Sequence, residues 1–358
     1  MLLFFVFFYI CVFYYLCLFF FFFFFFFFCF FVFFFFFFFP VVPPGTPTGA
    51  LGGVPALTVV DLLAAPAGAW RRPRIGPDSL ALLRYPPAAG QPRGVMVSHA
   101  NLLAGARQVA GLFGADADAG VVSWLPPHQD LGLLTGVLHP IFVGSRATLL
   151  DPDEARLRPA RWLRLVADRR ARISGGPDAA LERCADLTDA DLAGLDLSAW
   201  DVAFTDAAPA TMDRFAQRLA GNGFRRGALF TCYWLTEATS VVAGRRAPAV
   251  TSFDEDSLAP GRLARPRTPG QPVLDRGRAP DELDVVIVDP LTATRCPDGT
   301  AGEIWVSGPT VAVGYLGRPQ DSERTFCARL RGSTDNYLRT GDLGFVHDGG
   351  LHVTGLAA

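Results

Sequence analysis

The sequence predicts an α/β protein in which a helix-covered, mostly parallel sheet is followed by a small antiparallel β-subdomain. Two observations carry this. Helix and strand patterns alternate between residues 95 and 240, as a parallel sheet with crossover helices requires. After Leu283 only strand patterns recur. The composition also changes abruptly near residue 40: of the 33 Phe in this 358-residue chain, 24 lie in the first 39 positions. The body that follows, roughly 300 residues, is long enough for one large domain or two smaller ones with a sizeable core.

Each element has a local reason. From Pro40 to about Gly76 the chain is rich in Pro, Gly and Ala and reads as linker or remnant. Organised sequence begins near Asp78. Ser98 can N-cap a helix carrying Leu102, Leu103, Val109 and Leu112, which stops at Gly114. Val121–Leu125 and Ala147–Leu150 are short apolar strands, closed by Pro126–Pro127 and Asp151–Pro152. Pro159 starts a helix with Trp162, Leu163, Leu165 and Val166 between arginines. Ala171–Ser174 and Val202–Phe204 are strands, Thr211 caps a helix with Met212, Phe215 and Leu219 on one face, and Ala228–Cys232 is the next strand. The later strands are Val285–Val288, Glu303–Ser307 and Thr310–Tyr315, with a closing hairpin near Phe345–Val353. The expected divisions are a Phe-rich low-complexity tract (1–39), a linker or remnant (40–77), an α/β core (78–282) and a β-subdomain (283–358).

From Leu2 to Phe39 every residue is Phe, Leu, Val, Ile, Tyr or Cys, and no charge precedes Asp61. The stretch is nearly twice the roughly 20 residues a membrane helix needs. It has no basic flank to orient it, Phe is a mediocre helix former, and uncharged Phe runs aggregate as β-structure. All six residue types are one base change from the codon TTT, so T-rich DNA read in frame yields this set. The tract is therefore read as a gene-model or assembly artefact, with a hydrophobic membrane anchor as the alternative.

The body carries its own exclusions. All 32 basic residues are Arg, so Walker-type phosphate loops, Schiff-base lysines and Ser–Lys dyads are excluded. A net charge of −2 and scattered arginines give no case for nucleic acid. Cys184, Cys232, Cys296 and Cys327 are far apart in sequence and read as reduced thiols of a cytoplasmic protein. His347 and His352 flank Gly349–Gly350 and read as hairpin residues rather than metal ligands.

Four stretches stand in a specific order: Pro92–Arg93–Gly94–Val95–Met96–Val97–Ser98–His99, then Tyr233–Trp234–Leu235–Thr236–Glu237, then Gly302–Glu303–Ile304–Trp305 through Val313–Gly314–Tyr315, then Arg339–Thr340–Gly341–Asp342. Their order and spacing resemble the adenylate-forming enzymes, the superfamily of acyl-CoA synthetases and luciferases. Trp124–Leu125–Pro126–Pro127 with Asp130–Leu131–Gly132–Leu133, Ser174–Gly175–Gly176–Pro177 and Leu195–Asp196–Leu197–Ser198 look most like fatty acyl-AMP ligases. The resemblance covers about residues 56–355 and implies part of that family's large domain. The implied reaction joins a fatty acid to AMP from ATP with Mg²⁺, releases pyrophosphate, and often feeds a polyketide-type acyl carrier protein.

The resemblance also implies roles. Glu237 is the Mg²⁺ or phosphate-side carboxylate, and Thr236 offers its hydroxyl to the α-phosphate. Tyr233 packs on adenine, and Asp342 accepts hydrogen bonds from both ribose hydroxyls. Gly132, Gly136, Gly175 and Gly176 fall where the family lines its acyl tunnel. The phosphate loop, Tyr85 to Gly94, keeps Gly90 and the basic Arg93. It is one residue short, has lost every Ser and Thr, and gains prolines that remove amide donors. Three lost hydrogen bonds to a charged ligand cost at least ~4 kcal/mol, on the order of 10³-fold in affinity or rate.

Further departures are Gln129 for the family's His, Asp206 in the adenine segment, Trp234 for a Gly and Leu356 for an Arg. The chain ends at Ala358, before the family's C-terminal domain and its catalytic lysine, for which arginine is a poor substitute. Little or no adenylation, and poor independent folding, are therefore expected.

Overall fold

The computed structural model describes residues 41–42, 57–64, 71–86, 91–114 and 116–356; the Phe-rich tract and Gly90 lie outside the described residues. Residues 1–76 with 126–129 form one compact unit, and 77–125 with 130–358 form the other. In the first, strand β1 (Val41–Val42) pairs in parallel with β2 (Leu57–Thr58), which runs directly into helix α1 (Val59–Ala64).

The second unit opens with β3 (Leu80–Arg84) and β4 (Val95–Ser98), which pair antiparallel. Helix α2 (His99–Phe113) follows as the capping chemistry requires. The Ser98 hydroxyl accepts from the Asn101 backbone N–H, and the Asn101 side chain accepts from the Ser98 N–H. Gly114 ends the helix in the left-handed region at φ 60°, where a Cβ would be strained. The alternating part then runs β5 (Val121–Ser123), α3 (Asp130–Leu133), a π-helical turn (Leu134–Leu138), α4 (His139–Val143) and β6 (Ala147–Leu149). It continues through α5 (Pro152–Leu157), α6 (Pro159–Asp168), β7 (Ile173–Gly175), α7 (Asp178–Ala185), α8 (Asp189–Leu192), β8 (Val202–Thr205), α9 (Pro209–Leu219) and β9 (Leu229–Trp234). With β10 (Val241–Arg246) these strands form one sheet in the order β10-β9-β8-β7-β5-β6, parallel except for β10.

The core of this layer is aromatic. Trp124, Trp162 and Trp200 meet edge to face at 5.6 and 5.7 Å, and Trp200 continues onto Phe224 at 5.2 Å. Trp162 and Trp200 place their indole N–H groups on the Ser174 hydroxyl and the Val202 carbonyl, each at 2.9 Å, so two large rings are buried at no hydrogen-bonding cost.

After two short strands, β11 (Val250–Phe253) and β12 (Gln271–Leu274), the chain builds the antiparallel sheet. Its order is β14 (Thr294–Arg295), β13 (Asp284–Asp289), β15 (Gly302–Ser307), β18 (Asn336–His347) and β17 (Ala328–Arg329), with β19 (Gly350–Leu356) on β18. His347 and His352 lie on the β18–β19 hairpin, as expected. β16 (Gly314–Tyr315) leaves this sheet to pair with β4, and helix α10 (Pro319–Phe326) follows it. Among the described residues no helix is long and apolar enough to cross a membrane.

Three expectations change. Helix α9 begins at Pro209 with Ala208 as cap, so Thr211 is a buried first-turn residue; the fixed φ of proline starts the helix without a side-chain cap. Of Thr310–Tyr315 only Gly314–Tyr315 is strand, because its pairing partner is β4. Strands β10 to β12 carry no strong alternation and were not expected.

His139 gives a prediction at the level of the fold. It is fully buried, meets Phe113 edge-on at 5.6 Å, and neither ring nitrogen has a hydrogen-bond partner. Burial pushes its pKa down to about 4. In the unfolded chain it titrates near ~6.5. Between these values only the unfolded state takes the proton, so stability is complete above ~pH 6.5 and is lost as pH falls toward 4. The slope is about 1.4 kcal/mol per pH unit, about 3 kcal/mol in all. Urea midpoints from pH 7.5 to 4.5 are expected to fall less steeply for His139→Leu, by one proton; an unchanged slope would rule this out.

Candidate functional site

The carboxyl ends of β7, β8 and β9 share one edge of the parallel sheet, where open α/β sheets bind ligands. The segments leaving these ends carry Gly175–Gly176, Asp206 and Thr236–Glu237. Strand β18 brings Asp342 to the same place. The Tyr233 hydroxyl, near the end of β9, donates to Asp342 Oδ2 at 2.5 Å. The backbone that aims Asp342 is itself fixed. Thr340 donates its hydroxyl to the Ile304 carbonyl at 2.7 Å and accepts from the Asp342 N–H at 3.0 Å, while Gly341 turns between them at φ 75°. Burial raises the Asp342 pKa above the ordinary carboxylate value; the Tyr233 hydrogen bond opposes this and the nearby Glu303 charge adds to it. Burial and Asp342 push the Tyr233 phenol strongly upward, so it remains a donor.

Glu237 is anchored from both ends. Its carbonyl accepts the Ala312 N–H at 2.8 Å, and its Oε1 accepts the Tyr315 hydroxyl at 2.9 Å. Tyr315 is set by the β16–β4 pairing, and its ring carries the Arg93 guanidinium 4.7 Å from the centroid. Thr236 is buried, and its hydroxyl donates to Asp130 Oδ2, while Asp130 Oδ1 takes the Arg84 guanidinium. Asp206 is exposed and accepts the Asp178 N–H at 3.2 Å; Asp178 in turn accepts the Ala208 N–H at 2.8 Å.

Tyr233 and Asp342 are thus brought together, as are Glu237, Tyr315 and Arg93. The glycines are placed by close packing. A Cβ on Gly136 would lie 2.7 Å from the Ser123 hydroxyl, one on Gly176 would lie 2.6 Å from the Trp124 ring, and one on Gly175 would lie 2.1 Å from the Phe204 carbonyl. Gly132 is buried in α3.

Sequence reasoning missed Arg84, Asp130 and Tyr315 as site residues. Asp130 and Tyr315 stood inside the quoted stretches, where their neighbours drew the attention. Arg276 was missed too: this half-buried side chain donates to the Thr231 hydroxyl at 2.7 Å on β9, and local sequence gives no sign of it.

The donor set suits a nucleotide with a hard cation. Asp342 keeps lone pairs beyond the one given to Tyr233, and Glu237 keeps Oε2 after Tyr315 has taken Oε1. Among the described residues no cluster of three or more His, Cys, Asp or Glu side chains could hold a metal by itself, so a cation here would share its ligands with phosphate oxygens.

The family model "AMP-binding enzyme" matches residues 70–316. The chain is 34% identical over 301 residues to the medium-chain-fatty-acid–[acyl-carrier-protein] ligase TtuA of Teredinibacter turnerae, covering 79% of this chain and 47% of that one. It is 37% identical over 338 residues to the long-chain-fatty-acid–AMP ligase FadD23 of Mycobacterium tuberculosis, covering 88% and 57%. Among solved structures, the fatty acyl-adenylate ligase from L. pneumophila in complex with acyl adenylate and pyrophosphate superposes with a TM-score of 0.81 at 29% identity, covering 89% of this chain and 58% of that one. The chain spans about half the length of the curated relatives it matches.

Proposed function

Because this chain belongs to the AMP-binding enzymes, we propose that it carries the acyl-adenylating site of a fatty acyl-AMP ligase, with a sound nucleoside half and a weakened triphosphate half. The observation that carries this is the Tyr233–Asp342 hydrogen bond, which unites two family positions 109 residues apart. Asp342 binds the ribose hydroxyls, and Tyr233 packs on the base while its own hydroxyl fixes the carboxylate. Glu237, oriented by Tyr315, faces the phosphates, and Arg93 supplies positive charge beside them. Mg²⁺ held by Glu237 would neutralise phosphate charge. The fatty acid's carboxylate oxygen forms a bond to the α-phosphorus of ATP as the bond to pyrophosphate breaks. The protein's part is positioning and charge stabilisation.

The phosphate-loop stretch has no Ser or Thr, so its contribution to the β- and γ-phosphates is small. Adenylation is slow at best, and an acyl carrier protein is the proposed acceptor, as the name of TtuA states for that relative.

The test is calorimetric titration with AMP and with ATP. The two are expected to bind with similar affinity, because the triphosphate gains little. Asp342→Ala is expected to weaken both about 10²-fold, the worth of two hydrogen bonds to a charged group. Fatty-acid-dependent exchange of pyrophosphate into ATP is expected near background. ATP binding far more tightly than AMP would overturn the weakened triphosphate half; AMP binding indifferent to Asp342→Ala would overturn the nucleoside placement.

A further inference from the structure

Arg84 and Asp130, which have no role above, join Thr236 in a chain of side chains. They come from the end of β3, the start of α3 and the segment after β9. Asp130 divides its oxygens: Oδ1 takes the Arg84 guanidinium and Oδ2 takes the Thr236 hydroxyl. A carboxylate bridging a guanidinium and a hydroxyl makes the contacts that two oxygens of a phosphate group would make. Both charged side chains are largely withdrawn from water, at 11% and 22% exposure.

We propose that the Asp130 carboxylate is an internal competitor for phosphate: it holds the Arg84 and Thr236 donors that a phosphate group would take, and phosphate reaches them only by displacing it. This rests on the reading of Thr236 as a phosphate-side residue.

Two observations point to competition rather than simple support. Arg84 immediately precedes the stretch from Tyr85 to Gly94, which has no Ser or Thr and in a chain without lysine draws its positive charge from arginine. And there is no room for both anions. The cavity beside the pair is about 10 Å³, the threshold for a single water, and apolar side chains such as Leu82, Val97 and Leu134 line it. While Asp130 is paired, Arg84 presents no net charge to an incoming anion. Once the carboxylate moves away, the same guanidinium becomes a half-built anion site next to a hydroxyl donor.

The sign of one substitution separates the alternatives. Asp130→Asn keeps the shape and an acceptor for Thr236 but removes the competing charge. Titrated with inorganic pyrophosphate at low ionic strength, full-length Asp130→Asn is expected to bind at least ~10-fold more tightly than the parent. The double variant Arg84→Gln/Asp130→Asn is expected to return to the parent's affinity or below. Unchanged or weaker binding by Asp130→Asn overturns the proposal, because a merely supporting carboxylate gives that result.

Should Asp130→Asn fail to fold, melts with and without pyrophosphate decide. A cooperative transition restored by pyrophosphate in the single variant and not in the double supports competition; its absence in both overturns it. Tighter pyrophosphate binding together with AMP binding indifferent to Asp342→Ala leaves this inference standing and removes the nucleotide reading. The converse pair of results removes this inference alone.

Discussion

Arg339→Ala is expected to destabilise the protein by about 3 kcal/mol, read as a lower urea midpoint. Glu303 is only 2% exposed, and its carboxylate takes three hydrogen bonds from the Arg339 guanidinium, the shortest at 2.7 Å. Removing the arginine strands a buried charge, which typically costs about 3–5 kcal/mol. The low end applies because the Arg339 side chain is itself 42% exposed and water screens part of the interaction. The stacking of the guanidinium 5.7 Å over Trp305 is lost as well. Arg339→Met/Glu303→Leu removes both charges and should recover most of the loss. An Arg339→Ala midpoint equal to the parent's would show that Glu303 finds another partner. The effect reaches the site, since the same strand carries Asp342: an uncompensated Glu303 raises the Asp342 pKa further.

Gly175→Ala is expected to cost about 3 kcal/mol or more. The new methyl would lie 2.1 Å from the Phe204 carbonyl oxygen and 2.5 Å from its ring, and the first of these is backbone in the neighbouring parallel strand. Ordinary overpacking costs about 1–3 kcal/mol, and here the obstacle cannot rotate away. The entropy gained by removing a glycine from the unfolded chain, about 0.4–1 kcal/mol, has the opposite sign and loses. Gly136→Ala makes the contrast. Its methyl meets the Ser123 Oγ and Cβ at 2.7 and 2.9 Å rather than a backbone carbonyl, and its place in the π-helical turn offsets up to about 1 kcal/mol through helix propensity, so a smaller loss than that of Gly175→Ala is expected. Thermal melts of the two variants check this, and equal losses would contradict it.

What was legible in the sequence is what local chemistry dictates. Ser98 and Gly114 bracket α2 because caps act over one turn, and the apolar strands β5, β7, β8 and β9 read clearly because they are buried on both faces. The β18–β19 hairpin turned where Asp348–Gly349 allowed it. Local pattern does not encode pairing at a distance. β16 leaves its sequence neighbours for β4, and the π-helical turn at Leu134–Leu138 has no composition of its own. For the candidate site, ordered motifs named Tyr233, Glu237 and Asp342, and the fold brings Tyr233 to Asp342 and Tyr315 to Glu237. The Arg84–Asp130 pair spans 46 residues and joins a strand end to a helix start, so only the folded chain reveals it.

Trp162 stands within 6 Å of both Trp124 and Trp200, so the three indoles form a relay close enough for neighbouring excited states to couple. Light absorbed deep in the sheet at Trp200 therefore need not be emitted there. Trp124 lies against Gly176, at the edge where the strand ends converge, so a change of polarity beside that one ring alters the emission of the coupled set. The protein carries a native optical reporter, wired from its interior to the edge that carries the candidate site.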